Sequence, residues 1–349
     1  MKSSRNHLLD LYKLLLILAI CFHHCHWFKG IFTAGYMSVE FFFIISGYFI
    51  YLGYKRKQLP VNEFFTSKCL RLFPTYILVL IAYICLNFFL TPIPSNWPLS
   101  IINEGFMLQA TGLFYLGSDY VARLNSPAWY LSALLWSGTL LYLILRYFKH
   151  APIIIATIII ATYVYLFGIN GGIENWGFTG PFYIPFWRGM AGLGLGILLG
   201  FILDTKQLQQ FHPQKSTAIQ WIVLMSSTGI VVVCMFLPVN TDFVGLICLF
   251  VIAATLLRMP LSTQPRWLQL VPDISFEILL IHSLMIGMTN SISRAIGWDD
   301  ILWFKSIVMI SLTITGALML QRIIMPFLSK TILSLRYAIT SNLRNNARL

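Results

Sequence analysis

Charge is what this 349-residue chain has least of. Only 10% of its residues are Asp, Glu, Lys or Arg, against 58% hydrophobic, and the mean hydropathy is +0.76. Soluble domains carry about 25% charged residues. The expectation is therefore an all-α, polytopic integral membrane helix bundle, with no room for a sizeable soluble domain. Acidic groups are scarcest, 12 against 24 Lys and Arg. The resulting net charge of +12 does not point to nucleic acid, because no basic domain with a reading element accompanies it. No CxxC occurs, and nearly all of the six cysteines fall in apolar runs, so no disulfide framework is expected. Internal repeats and low-complexity segments are lacking as well. The N-terminal run mimics a signal peptide, but Asp10 and Lys13 interrupt it and no small-residue cleavage site follows. It reads as a retained first helix.

What the chain has is length in apolar runs. Ten segments suit a membrane span: roughly 8–28, 36–54, 72–91, 129–148, 152–169, 182–203, 218–237, 242–258, 274–291 and 304–327. The connection 92–128 is the longest and includes a re-entrant or interfacial piece, IINEGFMLQATGLFYL. With the N-terminus in the cytoplasm, seventeen Lys and Arg fall on the inner side and only Lys29, Arg123 and Arg294 outside. That asymmetry places both termini in the cytoplasm, in a multi-pass cell-membrane protein surrounded by the lipid bilayer.

Ionisable groups inside lipid-spanning helices are costly, so they are candidates for function. Lys13 and His24 share one face of the first helix, because eleven steps of 100° come within about 20° of three turns. At 1.5 Å per residue they lie about 16 Å apart along the axis. Glu40, near the outer end of the second span, is expected at the depth of His24. A carboxylate bonded to one imidazole nitrogen raises basicity at the other, which suits a general base; the alternative is a buried ion pair joining two helices. Cys21, His24 and Cys25 also share a face, but the spacing is loose and no second ligand cluster is evident, so no metal is assigned.

Lys68 and Arg71 fall on one helical face just before Pro74, in a basic segment between spans two and three. Clustered cations suit phosphate; ordinary positive-inside charge is the alternative. Arg188, in the outer part of span six, can stabilise an oxyanion, hold a substrate or snorkel to the interface. The glycines after it, Gly189, Gly192, Gly194 and Gly196, permit close helix packing and do not form a phosphate loop. His282 lies near mid-depth of span nine, as a functional group or as a satisfied packing group. Trp129 and Tyr130 open span four, where aromatics stack on sugars or form an interfacial belt.

Together these fragments resemble the membrane-bound acyltransferase family 3. The resemblance rests on Lys13 and His24, on Glu40-Phe41-Phe42 with Ser46-Gly47, and on Lys68, Arg71, Pro74 and Tyr76. Trp129-Tyr130-Leu131, Arg188 with its glycines, and Ser275 through His282 follow in order. Two positions depart: Lys13 stands where arginine is usual, and Ser38 where glycine is usual. The resemblance assigns residues 1–335 to the transmembrane acyltransferase domain and leaves 336–349 as a short basic cytoplasmic tail, with no fused soluble domain. It implies O-acyl transfer from acyl-CoA as co-substrate, acetyl-CoA in the typical case, to a hydroxyl of a cell-envelope carbohydrate. The CoA nucleotide would dock near Lys68, Arg71 and Lys13. His24 would deprotonate the acceptor, Glu40 would orient it, and Arg188 would hold the oxyanion. An acyl-histidine intermediate is a variant of the same scheme. The rival reading is a transporter of a polar or lipid-linked solute, but no repeated halves are present, and the densest ionisable cluster is confined to the first two spans and the loop after them.

Overall fold

The computed structural model describes residues 6–28, 30–90, 97–113, 124–174, 177–179, 182–205, 218–237, 239–259, 266–271 and 273–328. The cations Lys2, Arg5, Lys29, Arg123, Lys206, Lys215, Lys330, Arg336, Arg344 and Arg348, and the tail 336–349, lie outside the described residues.

The protein is helical. In chain order the helices are α1 (His7–His23), α2 (Ser38–Lys57), α3 (Val61–Leu90), α4 (Trp97–Gly105), α5 (Trp129–Tyr147), α6 (Ala151–Gly168), α7 (Ile184–Leu203), α8 (Ala218–Phe236), α9 (Asp242–Arg258), α10 (Ser275–Ala295) and α11 (Leu302–Met319). A two-residue hairpin, β1 (Phe178–Thr179) with β2 (Phe182–Tyr183), leads into α7. Eight helical stretches among the described residues are long and apolar enough to cross a membrane. Helices α1 and α9, 17 residues each, account for the other two expected spans.

Two boundaries differ most from expectation. Helix α1 stops at His23 rather than near residue 28. The third span starts at Val61 rather than near residue 72, and α3 runs 30 residues straight through Pro74. Lys68 and Arg71 therefore lie on a helix, as expected, but one that is continuous with the span through Pro74. A proline removes one backbone donor, and the neighbouring hydrogen bonds of a long, packed helix carry the backbone past it. Helix α4 occupies the long connection and, at nine residues, is too short to cross a membrane.

The chain divides into two compact units, residues 1–273 and 274–349. In the first, α2 and α7 run parallel with their backbones in direct contact. A Cβ on Gly47 would overlap the Leu193 carbonyl, and one on Gly196 would overlap the Ile44 carbonyl. Gly192, Gly196 and Gly200, at intervals of four, thus form the face of α7 that meets α2, while Gly189 and Gly194 admit α5 and α6. In the second unit α10 packs on α11, with Gly316 against Ile281, and Thr289 and Ser293 donate back to carbonyls four residues earlier.

Candidate active site

The close approach of α2 and α7 brings their first turns together. Glu40 lies in the first turn of α2, where the helix dipole favours a carboxylate. Arg188 lies early in α7, and its Nε donates to Glu40 Oε1 at 2.5 Å. The other carboxylate oxygen accepts from the Tyr163 hydroxyl of α6 at 3.0 Å. Arg188 Nη1 donates to the Ile173 carbonyl at 3.0 Å and Nη2 to the Tyr36 carbonyl at 3.1 Å, while its Cζ sits 5.3 Å from the Trp129 ring. One guanidinium thereby ties together α2, α5, α7 and two loops.

A second carboxylate extends the network. Asp242, at the start of α9, accepts from the Tyr36 hydroxyl at 2.5 Å and from the Ile173 amide at 2.7 Å. Asn240 donates to the Gly171 carbonyl and accepts from the Asp242 amide. Gly172 has a φ of +155°, and a Cβ there would press on both Asn240 and Asp242. The loop 170–174 is therefore fixed by its backbone contacts with Arg188 and Asp242.

The expected bond between Glu40 and His24 is not formed. Both carboxylate oxygens are taken by Arg188 and Tyr163, and a permanently charged guanidinium brought close by backbone contact outcompetes an imidazole. Helix α1 ends at His23, so His24 is its C-cap and is exposed. His23 faces inward instead. Its ring lies 5.2 Å from that of Tyr36 and 5.4 Å from that of His24, and its Nε2 is 3.8 Å from Glu174 Oε1. Burial, with Asp242 nearby, raises the Glu174 carboxyl above its usual range, and Arg188 opposes the shift. The buried Cys25 thiol donates to the Cys21 carbonyl.

The expected donor cations occupy α1 and α3. Lys13 is ion-paired with Asp10 and Asp273. Lys68 stands 5.2 Å over the Phe64 ring, which stacks on Tyr142, and Arg71 is exposed one turn further along. Tyr130 is buried, and its hydroxyl lies 3.2 Å from Ser46 Oγ on α2. Trp129 packs on Phe43 and under Arg188. Both aromatics are therefore inside the bundle rather than in an exposed belt.

The acyltransferase family 3 profile, described as an acyltransferase domain, matches residues 6–321. The chain belongs to that family. Among similar proteins, "Protein 2 in picA locus" of Rhizobium radiobacter is 30% identical over 113 residues, covering 28% of this chain and 59% of that protein. The chain thus spans less than two thirds of that relative's length. No solved structure matches it.

In this chain several polar residues join the site that sequence reasoning does not single out. Tyr36, Tyr163 and Asp242 complete the Glu40–Arg188 network, and His23 and Glu174 lie beside it. A lone tyrosine or aspartate at a helix end carries little signal until its partner is known. Glu104 of α4 was also missed. It is fully buried, its Oε1 accepts from the Leu124 and Asn125 amides at 3.0 and 3.2 Å, and its Oε2 accepts from the Tyr76 hydroxyl at 2.9 Å. Burial pushes its carboxyl up to about 7, against the lowering effect of these donors. His282 is fully buried, with Nδ1 at 3.1 and 2.9 Å from the Ile278 and Leu279 carbonyls.

Proposed function

We propose that this acyltransferase moves an acyl group, acetyl in the simplest case, from acyl-CoA to a hydroxyl of a cell-envelope or exported carbohydrate. The observation that carries the reading is the continuity of α1. The helix is unbroken from His7 to His23, so the separation of about 16 Å from Lys13 to the His24 cap follows from helix rise alone. That length is comparable to an extended pantetheine arm. A nucleotide held by Lys68, Arg71 and Lys13 on the cytoplasmic side then presents its thioester near the outer end of α1.

In this reading His24 is the general base. It takes the proton of the acceptor hydroxyl as that oxygen attacks the thioester carbonyl. The tetrahedral intermediate collapses, the C–S bond breaks, and the CoA thiolate takes the proton back from the imidazolium. The exposed position of His24 suits a group that meets an acceptor arriving from outside. Arg188 acts here as a positioning residue. Three of its donors are already engaged, so it fixes the starts of α2 and α7 around the reaction centre rather than binding the oxyanion. Trp129 and Tyr130 wall the same region.

The test is labelled-acetate incorporation into envelope glycans, with native chain and His24→Ala compared at matched membrane abundance. Label that appears with the native chain and vanishes with the variant supports transfer through His24, and the labelled fraction identifies the acceptor. Equal labelling by both removes His24 from the mechanism. No labelling by the native chain, with acetyl or longer donors, overturns the carbohydrate reading.

A further inference from the structure

One strip of α2 turns away from the core. Phe41, Phe43, Ile44 and Ile50 are fully buried, whereas Phe42 and Ser46 are half-buried and Phe49 is 48% exposed. At spacings of four and three residues, Phe42, Ser46 and Phe49 share one side of the helix. Two phenyl rings thus flank a single hydroxyl. Ser46 Oγ lies 3.2 Å from the Tyr130 hydroxyl of α5, and the Tyr130 ring lies 4.7 Å from that of Phe43 and 6.4 Å from that of Phe42.

Two hydroxyls carry two protons, and their mutual hydrogen bond uses one of them. Among the described residues no acceptor meets the second. A serine on an apolar helix face can donate to the carbonyl four residues back, as Ser291, Ser293 and Ser306 do. Ser46 turns to Tyr130 instead. Whichever of the two donates, one O–H is left whose acceptor has to come from outside the protein.

The pair stands beside the donor cations. Residues 58–60 join the end of α2 to the start of α3. Counted from that connection, Ser46 is eleven residues along α2 from Lys57, and Arg71 is ten along α3 from Val61. At 1.5 Å per residue these are about 16 and about 15 Å, the same height. The charge of Arg71 reaches the Tyr130 hydroxyl there. A nucleotide held by Lys68 and Arg71 sends its pantetheine arm outward from this level. The arm is uncharged, with amide groups between apolar stretches. It suits a hydroxyl pair set among phenyl rings, whereas a phosphate calls for a cation.

We propose that the Ser46 and Tyr130 hydroxyls form a clasp for the pantetheine arm of the acyl donor, the unused O–H donating to an amide carbonyl of the arm as it runs along the strip of Phe42, Ser46 and Phe49. This rests on the acyl-CoA reading above. It gives the donor a second point of attachment, on α2 and α5, beyond the cations of α3.

Calorimetry on the purified full chain in lipid nanodiscs tests the assignment with two probes, CoA and its nucleotide part alone, 3′-phospho-ADP. Tyr130→Phe and Ser46→Ala are each expected to weaken CoA binding about two- to tenfold, the range for one hydrogen bond. Both should bind 3′-phospho-ADP as the native chain does, which also shows that they are folded. Unchanged CoA binding by both variants overturns the proposal. So does an equal loss for 3′-phospho-ADP, which would set the hydroxyls against a phosphate or make them part of the fold alone. If the native chain binds CoA and only these differences fail, the donor reading survives alone. If the native chain binds no CoA, both fall.

Discussion

Glu40 and Arg188 form an ion pair closed to solvent on both sides, with an Nε–Oε1 distance of 2.5 Å and side chains 0% and 4% exposed. Such a pair is a modest net stabiliser, but removing one partner strands the other charge, at about 3–5 kcal/mol. Glu40→Ala and Arg188→Met should each lose on that order. The Glu40→Leu/Arg188→Met double variant should lose less than the sum. Unfolding midpoints in detergent, arranged as a double-mutant cycle, measure the coupling. A native midpoint for Glu40→Ala would show that the pair does not hold the first turn of α2.

The glycines of α7 should differ sharply in tolerance. Gly196→Ala drives a Cβ into the Ile44 carbonyl, which cannot move without shifting α2. The expected cost is about 1–3 kcal/mol or more, with loss of activity. Gly194→Ala meets only side-chain atoms of Ile159 and Ile155 at 3.0–3.2 Å, which can give by a few tenths of an ångström. Gly229→Ala on α8 meets nothing within 4 Å and should be neutral or slightly stabilising. Melting temperatures of the three variants rank them, and equal losses would contradict backbone contact between α2 and α7.

Glu104 should make stability depend on pH. Its carboxyl rises from an ordinary 4.5 to about 7 on folding, so the folded state holds the proton more tightly than the unfolded state. The associated stabilisation is complete below about pH 4.5. It declines as pH rises toward 7 and is absent above that, a change on the order of a few kcal/mol. Glu104→Gln should flatten this part of the curve. Melting curves between pH 5 and 8 provide the comparison, and parallel slopes for native and variant would remove Glu104 as the source.

Lys68 and Arg71 are expected to act on the donor alone. Lys68→Ala and Arg71→Ala should each raise KM for acyl-CoA about 10- to 100-fold, the range for a lost hydrogen bond to a charged group. The kcat at saturating donor should change little. Steady-state kinetics with the donor varied separates the two effects. A fall in kcat at unchanged KM would move these residues from binding to chemistry.

Much of the fold is legible in one dimension. The span expected at 242–258 is α9 (Asp242–Arg258), and the others agree within a few residues except at the end of α1 and the start of α3. In α3, Asn62, Glu63, Thr66 and Lys68 lower the hydropathy and hide helix that is continuous with the apolar part. The site was read less completely, for a physical reason. Periodicity gives the depth of a residue and its face on its own helix, but not which neighbour that face meets. Glu40 lies at a helix end as expected, yet its partners come from 123 and 148 residues away, on α6 and α7. The expected first span continues the helix to residue 28 and so puts His24 on the Lys13 face, whereas α1 ends at His23. No glycine or proline stands at positions 24–26 to mark the stop, and His23 takes the inward position as a result.

The contact between α2 and α7 has a mechanical consequence. Where Gly47 and Gly196 meet the opposing carbonyls, no layer of side chains lies between the two backbones to be compressed or to slide. The pair therefore behaves as a stiff beam, with Glu40 and Arg188 fixed at one end and the Tyr51–Asp204 hydrogen bond at the other. Its amides should be among the slowest to exchange with solvent. Movement that admits or releases substrate then falls to elements outside this pair, swinging against a part that does not bend.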